Sequence, residues 1–413
     1  MARRQYLTAG EAAERLGVSR ATLYAYVSRG QIRSEVGDES TRERRYHAED
    51  VEALAARKTY RRDPAKAAQD ALHWGSPMLD SALTLIRDHR LYYCGWDAAA
   101  LAREASFEQT AALLWTGDRA QAGALFDAAR SPERLEGLSA ARDLPAPHLP
   151  TAHLPTPARM AVALAFAGAD DLAAYDLSAP AVARTGGRIV RLLAAALTGG
   201  EGRGPAEAGI AGQIAAGWDR PDAAPLINAA LILCADHELN ASSFAARVAA
   251  STDANPYAIV AAGLAALTGF KHGGNTELTE AFLNTPGDLA RAAADRLRRG
   301  ERIPGFGHRL YPAGDPRAVA LIAMMREAAP GAPVLARLDA LTAVMREVKE
   351  IAPNIDLALA ALARLLDLPP GASLGMFAVG RSVGWIAHAI EQYAGGMLIR
   401  PRARYVGEMP ADD

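Results

Sequence analysis

The spacing of apolar positions changes character along the chain. Near the N-terminus, Thr8 precedes a stretch with Ala12, Ala13 and Leu16 on one face, and Gly17 interrupts it. Ser19 then opens a second stretch with Leu23 and Val27 on one face, and Gly30 closes it. Ser and Thr accept hydrogen bonds from free N–H groups at a helix start, and Gly takes the left-handed conformation that helix ends need. Two short helices joined by a Gly-containing turn predict a helix-turn-helix. Ile32 to Tyr46 predicts a short hairpin or wing with Gly37-Asp38 near its tip, and Asp50 to Lys58 a third helix. Arg61-Arg62-Asp63-Pro64 predicts a linker, because Pro restricts the residue before it and discourages a continuing helix.

Beyond Pro64 the apolar spacing is almost wholly helical. Ser106-Phe-Glu-Gln109 predicts a capping box before an apolar helix that stops at Gly117. Asn255-Pro256 predicts a capped helix start, running apolar to Gly269. Strand-like alternation is scarce, with one candidate at Leu91-Tyr92-Tyr93, and residues 140–156 predict a loop rich in Pro and His.

Composition narrows this picture. The 413 residues allow two or three domains, and half are hydrophobic, enough for a large core. The net charge of −2 predicts no chain-wide attraction to nucleic acid or membrane, but it is unevenly spread. Residues 1–62 hold 13 Lys+Arg against 9 Asp+Glu, a net of +4, leaving −6 in the remainder. Cys94 and Cys234 are far apart, which fits two reduced thiols rather than a disulfide framework or a C-x-x-C metal site. The first residues lack an apolar signal-peptide core, and no stretch approaches about 18 uninterrupted apolar residues. A cytoplasmic protein is expected.

Four segments put titratable groups beside glycines or at helix starts. They are Asp236-His-Glu-Leu-Asn-Ala-Ser242, Phe270-Lys-His-Gly-Gly274, Pro304-Gly-Phe-Gly-His308 and Asn354-Ile-Asp356. Glycine lets backbone approach a ligand closely, and a helix start offers free N–H groups. Zinc competes as a reading of His237, His272 and His308, but these lack close ligand spacing and no thiolate is near, so no metal is expected.

Taken in order, these motifs resemble the citrate synthase family over about residues 75–413. The resemblance is carried by His-Glu-x-Asn-Ala-Ser at 237–242, His-Gly-Gly at 272–274, Gly-Phe-Gly-His-Arg-x-Tyr at 305–311, Asp-Pro-Arg at 315–317, Asn-x-Asp at 354–356 and Gly-Arg-Ser-x-Gly-Trp-Ile-Ala-His at 380–388. It implies an all-α fold: a large helical domain (63–269 and 376–413) with a smaller one inserted at 270–375, preceded by the helix-turn-helix domain at 1–62. It implies an acyltransferase joining acetyl-CoA to oxaloacetate and releasing citrate and CoA. A 2-methylcitrate synthase using propionyl-CoA is the close alternative. Acetyl-CoA is a substrate, so no cofactor is expected.

The chemistry needs a base at the thioester methyl group and a donor on its oxygen. By match to the family, Asp356 is that base and His272 that donor, while His308 donates to the ketone of oxaloacetate. His237 and Asn240 are implied to bind the same substrate, with Arg317 and Arg381 taking its carboxylates and Arg400 reaching in from a second subunit of a homodimer. Arg402 and Arg404 are adjacent alternatives to Arg400. Lys271, Arg298, Arg299, Arg302 and Arg309 are candidates for the CoA phosphates, or equally a solvated face. The sequence departs from the family where Asn275-Thr276-Glu277 replaces the common Ala-Asn-Glu, where Pro312-Ala-Gly314 replaces Lys-Thr-Tyr, and where Cys94 replaces Arg.

Leu7 to Gly30 resembles the helix-turn-helix of MerR-like and excisionase-like proteins. That resemblance implies DNA contacts from Ser19, Arg20, Thr22 and Tyr26 on the second helix, and from Arg42, Arg44 and Arg45 on the wing. The alternative is a small docking or dimer-supporting domain. The whole chain could also be a transcriptional regulator whose synthase-like part senses a metabolite.

Overall fold

The short N-terminal elements form as their capping residues dictate. β1 (Tyr6–Leu7) leads into α1 (Ala9–Leu16), where Thr8 and Glu11 make a reciprocal capping box and Gly17 closes the helix in the left-handed conformation. Ser19 caps α2 (Arg20–Ser28). β2 (Ser34–Val36) pairs antiparallel with β3 (Arg44–His47), which also pairs with β1. Ala12, Leu16, Leu23, Ile32, Tyr46 and Val51 form the small core beneath. The computed structural model describes residues 6–29, 31–36, 44–48, 50, 51, 54, 79–127, 153–199, 208–403 and 405–408. The expected Gly30 stop, Gly37-Asp38 tip, Arg42, the 61–64 linker, residues 140–152, Arg404 and most of the third helix lie outside them.

The chain divides into two compact units, Met1–Asp80 and Ser81–Asp413. The second opens with a small antiparallel sheet of β4 (Thr84–Arg87), β5 (Arg90–Tyr93) and β6 (Trp96–Asp97). Helices follow: α3 (Ala98–Glu104), α4 (Phe107–Thr116), α5 (Ala122–Asp127), α6 (Thr156–Asp170), α7 (Ala179–Thr198), α8 (Gly209–Gly217), α9 (Ala224–Cys234) and α10 (Ala241–Ala250). Then come α11 (Pro256–Leu267), α12 (Asn275–Leu283), α13 (Leu289–Arg298), α14 (Pro316–Ala328), α15 (Pro333–Lys349), α16 (Ile355–Leu365) and α17 (Ala372–Gly395). The capping box at Ser106–Gln109 and the Gly117 stop form as expected. The Asn255-capped helix ends at Leu267, two residues short of the expected glycine.

The core is organised on α17. Every residue from Ala372 to Ala389 is buried, which is the signature of a helix enclosed on all sides. It packs against α7, α9, α10, α11 and α16. Apolar contact alone does not explain it, because Arg381 and His388 are in the buried stretch. A buried charge needs a partner, so this helix carries polar groups toward something other than core. Among the described residues no helix is long and apolar enough to cross a membrane.

Candidate active site

Four short turns bring the polar groups together. The first lies between α9 and α10. Tyr93 donates from its hydroxyl to the carbonyl of Ile232 at 3.0 Å, anchoring the end of α9. Gly384 of α17 donates its N–H to the Ala235 carbonyl at 2.9 Å. A Cβ there would come within 2.5 Å of that carbonyl and of Asp236 Oδ1, so glycine is what lets the turn lie on the helix. His237 is thereby buried, its Nε2 2.9 Å from the Tyr311 hydroxyl. Asn240 caps α10, and its Oδ1 accepts from the backbone N–H groups of Ser242 and Ser243 and from the Ser242 hydroxyl.

The second turn carries His272. Gly274 donates to the Leu267 carbonyl at 3.0 Å, folding the chain back before α12 begins. His272 Nε2 lies 2.9 Å from Ser242 Oγ, which also accepts from the Trp385 indole at 3.1 Å. The Ser242 hydroxyl has one proton for two acceptors, Asn240 Oδ1 and His272 Nε2.

The third and fourth turns are zipped to each other. Gly307 donates to the Ala352 carbonyl at 2.9 Å and Asn354 to the Gly305 carbonyl at 3.0 Å. Gly305 has φ +83°, and a Cβ would meet Thr279 and Leu357 within 3 Å. His308 Nδ1 accepts the Leu310 N–H at 3.2 Å, so the neutral ring carries its proton on Nε2. The His237 and His308 rings meet edge to face at 5.1 Å.

Asp356 sits in the first turn of α16, partly open by surface area yet densely surrounded by protein. Asn275 Nδ2 donates to Oδ2 at 2.7 Å and the Thr276 hydroxyl to Oδ1 at 2.8 Å. Burial raises its pKa, and these two donors and Arg317 oppose the rise. Burial, with Arg381 and Arg317, lowers His272 to about 4. Burial and Arg317 lower His308 to about 4, and His237 falls well below the usual range. The site therefore combines three imidazoles that are neutral at neutral pH with a carboxylate held by two hydrogen-bond donors.

The arginines differ in what they leave free. Arg317 grips Asp315 through Nε at 2.9 Å and Nη2 at 2.8 Å, and Asp315 Oδ2 also accepts from the Ile355 N–H at 3.0 Å. This buried pair ties α14 to α16, so Arg317 cannot offer that edge to a substrate. Arg381 donates from Nε to the Cys234 carbonyl at 2.8 Å, while its buried Nη2 has no partner. An unpaired buried donor is costly unless a ligand satisfies it.

Several expectations need correction. Asn240 spends its side chain on the cap and on the turn carbonyls of His237 and Glu238, so it positions rather than presents a free binding group. Arg298 and Arg299 are exposed ion-pair partners of Asp295 and Glu301, which leaves them a solvated face. Lys271, Arg302, Arg309 and Arg400 are exposed. In the N-terminal unit, Ser19 and Thr22 hydrogen-bond each other at the start of α2. Tyr26 packs on the small core because it shares the inward face of Leu23 and Val27. Tyr24, on the outward face and 52% exposed, is the tyrosine that α2 presents to solvent, beside exposed Arg20 and, on β3, Arg44 and Arg45.

The reading of single motifs missed Asn275, Thr276 and Asp315. The signal was available: two short polar side chains open the helix after His-Gly-Gly, and Asp precedes a helical Pro.

Residues 72–402 match the family described as citrate synthase, C-terminal domain, and residues 6–59 match a helix-turn-helix domain family. The citrate synthase of Haloferax volcanii is 34% identical over 345 residues, covering 78% of this chain and 91% of that one. The 2-methylcitrate synthase 1 of Corynebacterium glutamicum is 36% identical over 183 residues, covering 43% of this chain and 48% of that one. Further citrate synthases likewise match over about half their length. Among solved structures, the Thermoplasma acidophilum citrate synthase, in ternary complex with carboxymethyl coenzyme A and oxaloacetate, superposes with a TM-score of 0.69 at 25% identity. That match covers 82% of this chain and 96% of the other. The chain belongs to the citrate synthase family.

Proposed function

We propose that the protein condenses acetyl-CoA with oxaloacetate and water to give citrate and CoA. The observation that carries this reading is the pairing of neutral donors with one carboxylate: His308 has its proton on Nε2, His272 is neutral, and Asp356 accepts from Asn275 and Thr276. Asp356 takes a methyl proton of the thioester while His272 donates to the thioester oxygen. Neither step requires a charged histidine, since a neutral imidazole N–H stabilises the developing oxyanion as a hydrogen-bond donor. His308 Nε2–H polarises the ketone of oxaloacetate, and the enol carbon attacks it. Water then cleaves the citryl thioester.

Arg381 Nη2 is the donor suited to a substrate carboxylate, with His237 and the remaining edge of Arg317 beside it. Arg400 stands on an exposed tail with Met397, Leu398, Tyr405 and Val406, which favours covering by a second subunit of a homodimer. Lys271, Arg302 and Arg309 remain the cations proposed for CoA. Residues 270–375 would act as the smaller domain closing on the site. Free Cys94 and Cys234 fit a cytoplasmic setting.

Propionyl-CoA is the second acyl donor to consider, supported by the similarity to a 2-methylcitrate synthase. One methylene changes discrimination by only about 1–3 kcal/mol. Steady-state kinetics with both thioesters decides: the larger kcat/KM identifies the substrate, and no turnover with either overturns the proposal. DNA is the partner proposed for the N-terminal unit, on its helix-turn-helix match and exposed Arg20, Arg44 and Arg45.

A further inference from the structure

Both oxygens of Asp356 carry a hydrogen bond from adjacent residues at the start of one helix. Asn275 Nδ2 lies 2.7 Å from Oδ2, and the Thr276 hydroxyl 2.8 Å from Oδ1. Those two residues are fixed in turn to the His272 turn: Asn275 donates its backbone N–H to the His272 carbonyl at 3.0 Å and Thr276 to the Gly273 carbonyl at 2.8 Å. Thr276 is fully buried, and its one hydroxyl proton is spent on the carboxylate.

We propose that Asn275 and Thr276 are positioning residues that clamp the base: they fix the plane of the Asp356 carboxylate and hold it in register with His272. The proposal rests on Asp356 acting as the base of the condensation. A base and an oxygen donor that act on one thioester in the same step must keep a constant separation, and geometry lost by about an ångström is expensive in rate. The clamp supplies that separation through two adjacent residues, each hydrogen-bonded both to the Asp356 carboxylate and to the His272 turn. It also stands in for the water a carboxylate loses in a crowded site. Both donors favour the charged form and so oppose the rise that burial imposes on the carboxyl.

The groups acting on Asp356 from neighbouring elements are few. From α12 they are the neutral Asn275 and Thr276, from the start of α14 the Arg317 guanidinium and the Asp315 carboxylate, and from the end of α9 the Cys234 thiol. Arg317 and Asp315 neutralise each other as a pair, which leaves the two neutral donors as the adjustable part.

The test compares Asn275→Ala, Thr276→Val and Thr276→Ser with the unmodified full-length protein. Selective ¹³C labelling of aspartate carboxyls, with the Asp356 signal assigned by its loss in Asp356→Asn, reads the titration directly. Asn275→Ala and Thr276→Val should each raise it by about one pH unit, and Thr276→Ser should leave it in place. In citrate formation, the acid limb of kcat/KM should move up with it, and kcat should fall at least tenfold with both KM values changed less than threefold. A titration that moves by less than about 0.2 pH unit in both variants, far short of the expected shift, overturns the clamp. A protein that forms no citrate overturns the catalytic reading instead, and the carboxyl titration still decides the clamp.

Discussion

The backbone N–H of Leu310 points at Nδ1 of His308 from 3.2 Å, and this one contact decides which nitrogen of the ring is a donor. A neutral imidazole that accepts at Nδ1 must carry its proton on Nε2. With burial and Arg317 holding the ring neutral down to about 4, the donor is available throughout the neutral range. His308→Ala removes it. It should lower kcat roughly 100- to 1,000-fold, the usual loss for one donor at a developing oxyanion. Its thermal midpoint should stay within a few degrees. A variant within threefold of the parent rate would remove His308 from the reaction.

The same depression of the histidines makes stability depend on pH. His272 and His308 titrate at about 4 in the folded chain and near 6.5 when exposed. Between those values the unfolded chain binds more protons, so stability is fully present above about 6.5 and is lost as pH falls toward 4. Each ring adds at most about 1.4 kcal/mol per pH unit. Urea denaturation at pH 7.5 and 5.0 should show a smaller loss for the His272→Asn/His308→Asn double variant than for the parent. Equal losses would mean that these rings do not titrate as their surroundings require.

Arg381 offers a separable readout. Its Nε is committed to the Cys234 carbonyl and its Nη2 is unpaired. Arg381→Lys keeps the charge and loses the planar fork. KM for oxaloacetate should rise roughly tenfold to a hundredfold, as expected for a charge-assisted hydrogen bond, while KM for the acyl thioester changes little. An equal rise in both would point to general disruption of α17.

Much of this site was legible in the sequence because its parts are local. A cap residue or a Gly stop and its helix are written within about ten residues, as at Ser106–Gln109 and Gly117. The motifs also gave the family and placed His272, His308 and Asp356 in one site. What stayed hidden depends on distant pairing. Nothing local says that Asn275 meets Asp356, 81 residues away. Arg317 illustrates the opposite error: its motif position suggested a free guanidinium, but Asp315 two residues earlier takes most of it. On α2, Tyr26 packs on the core while Tyr24 faces solvent, because a rotation of two residues turns a helix face from core to solvent.

The N-terminal unit should be separable from turnover. Deleting residues 1–62 should leave kcat within about twofold if the synthase-like unit supplies all reacting groups. In a DNA-binding selection on the full chain, Tyr24→Ala with Arg20→Ala should abolish any enriched sequence, since α2 exposes both side chains. An enrichment that survives the double variant would place the DNA contact elsewhere. Specific DNA binding by a chain without turnover would favour a metabolite-sensing regulator.

The most direct test of the account is citrate formation from acetyl-CoA and oxaloacetate by the full-length protein, measured beside Asp356→Asn. The substitution keeps the shape and one accepting oxygen but removes the base. The parent should release CoA and citrate in equal amounts. The variant should fall at least about 1,000-fold, within or beyond the usual contribution of general base catalysis, with an unchanged melting temperature. An inactive parent, or a variant that retains a near-parent rate, would contradict the assignment of this site to the condensation.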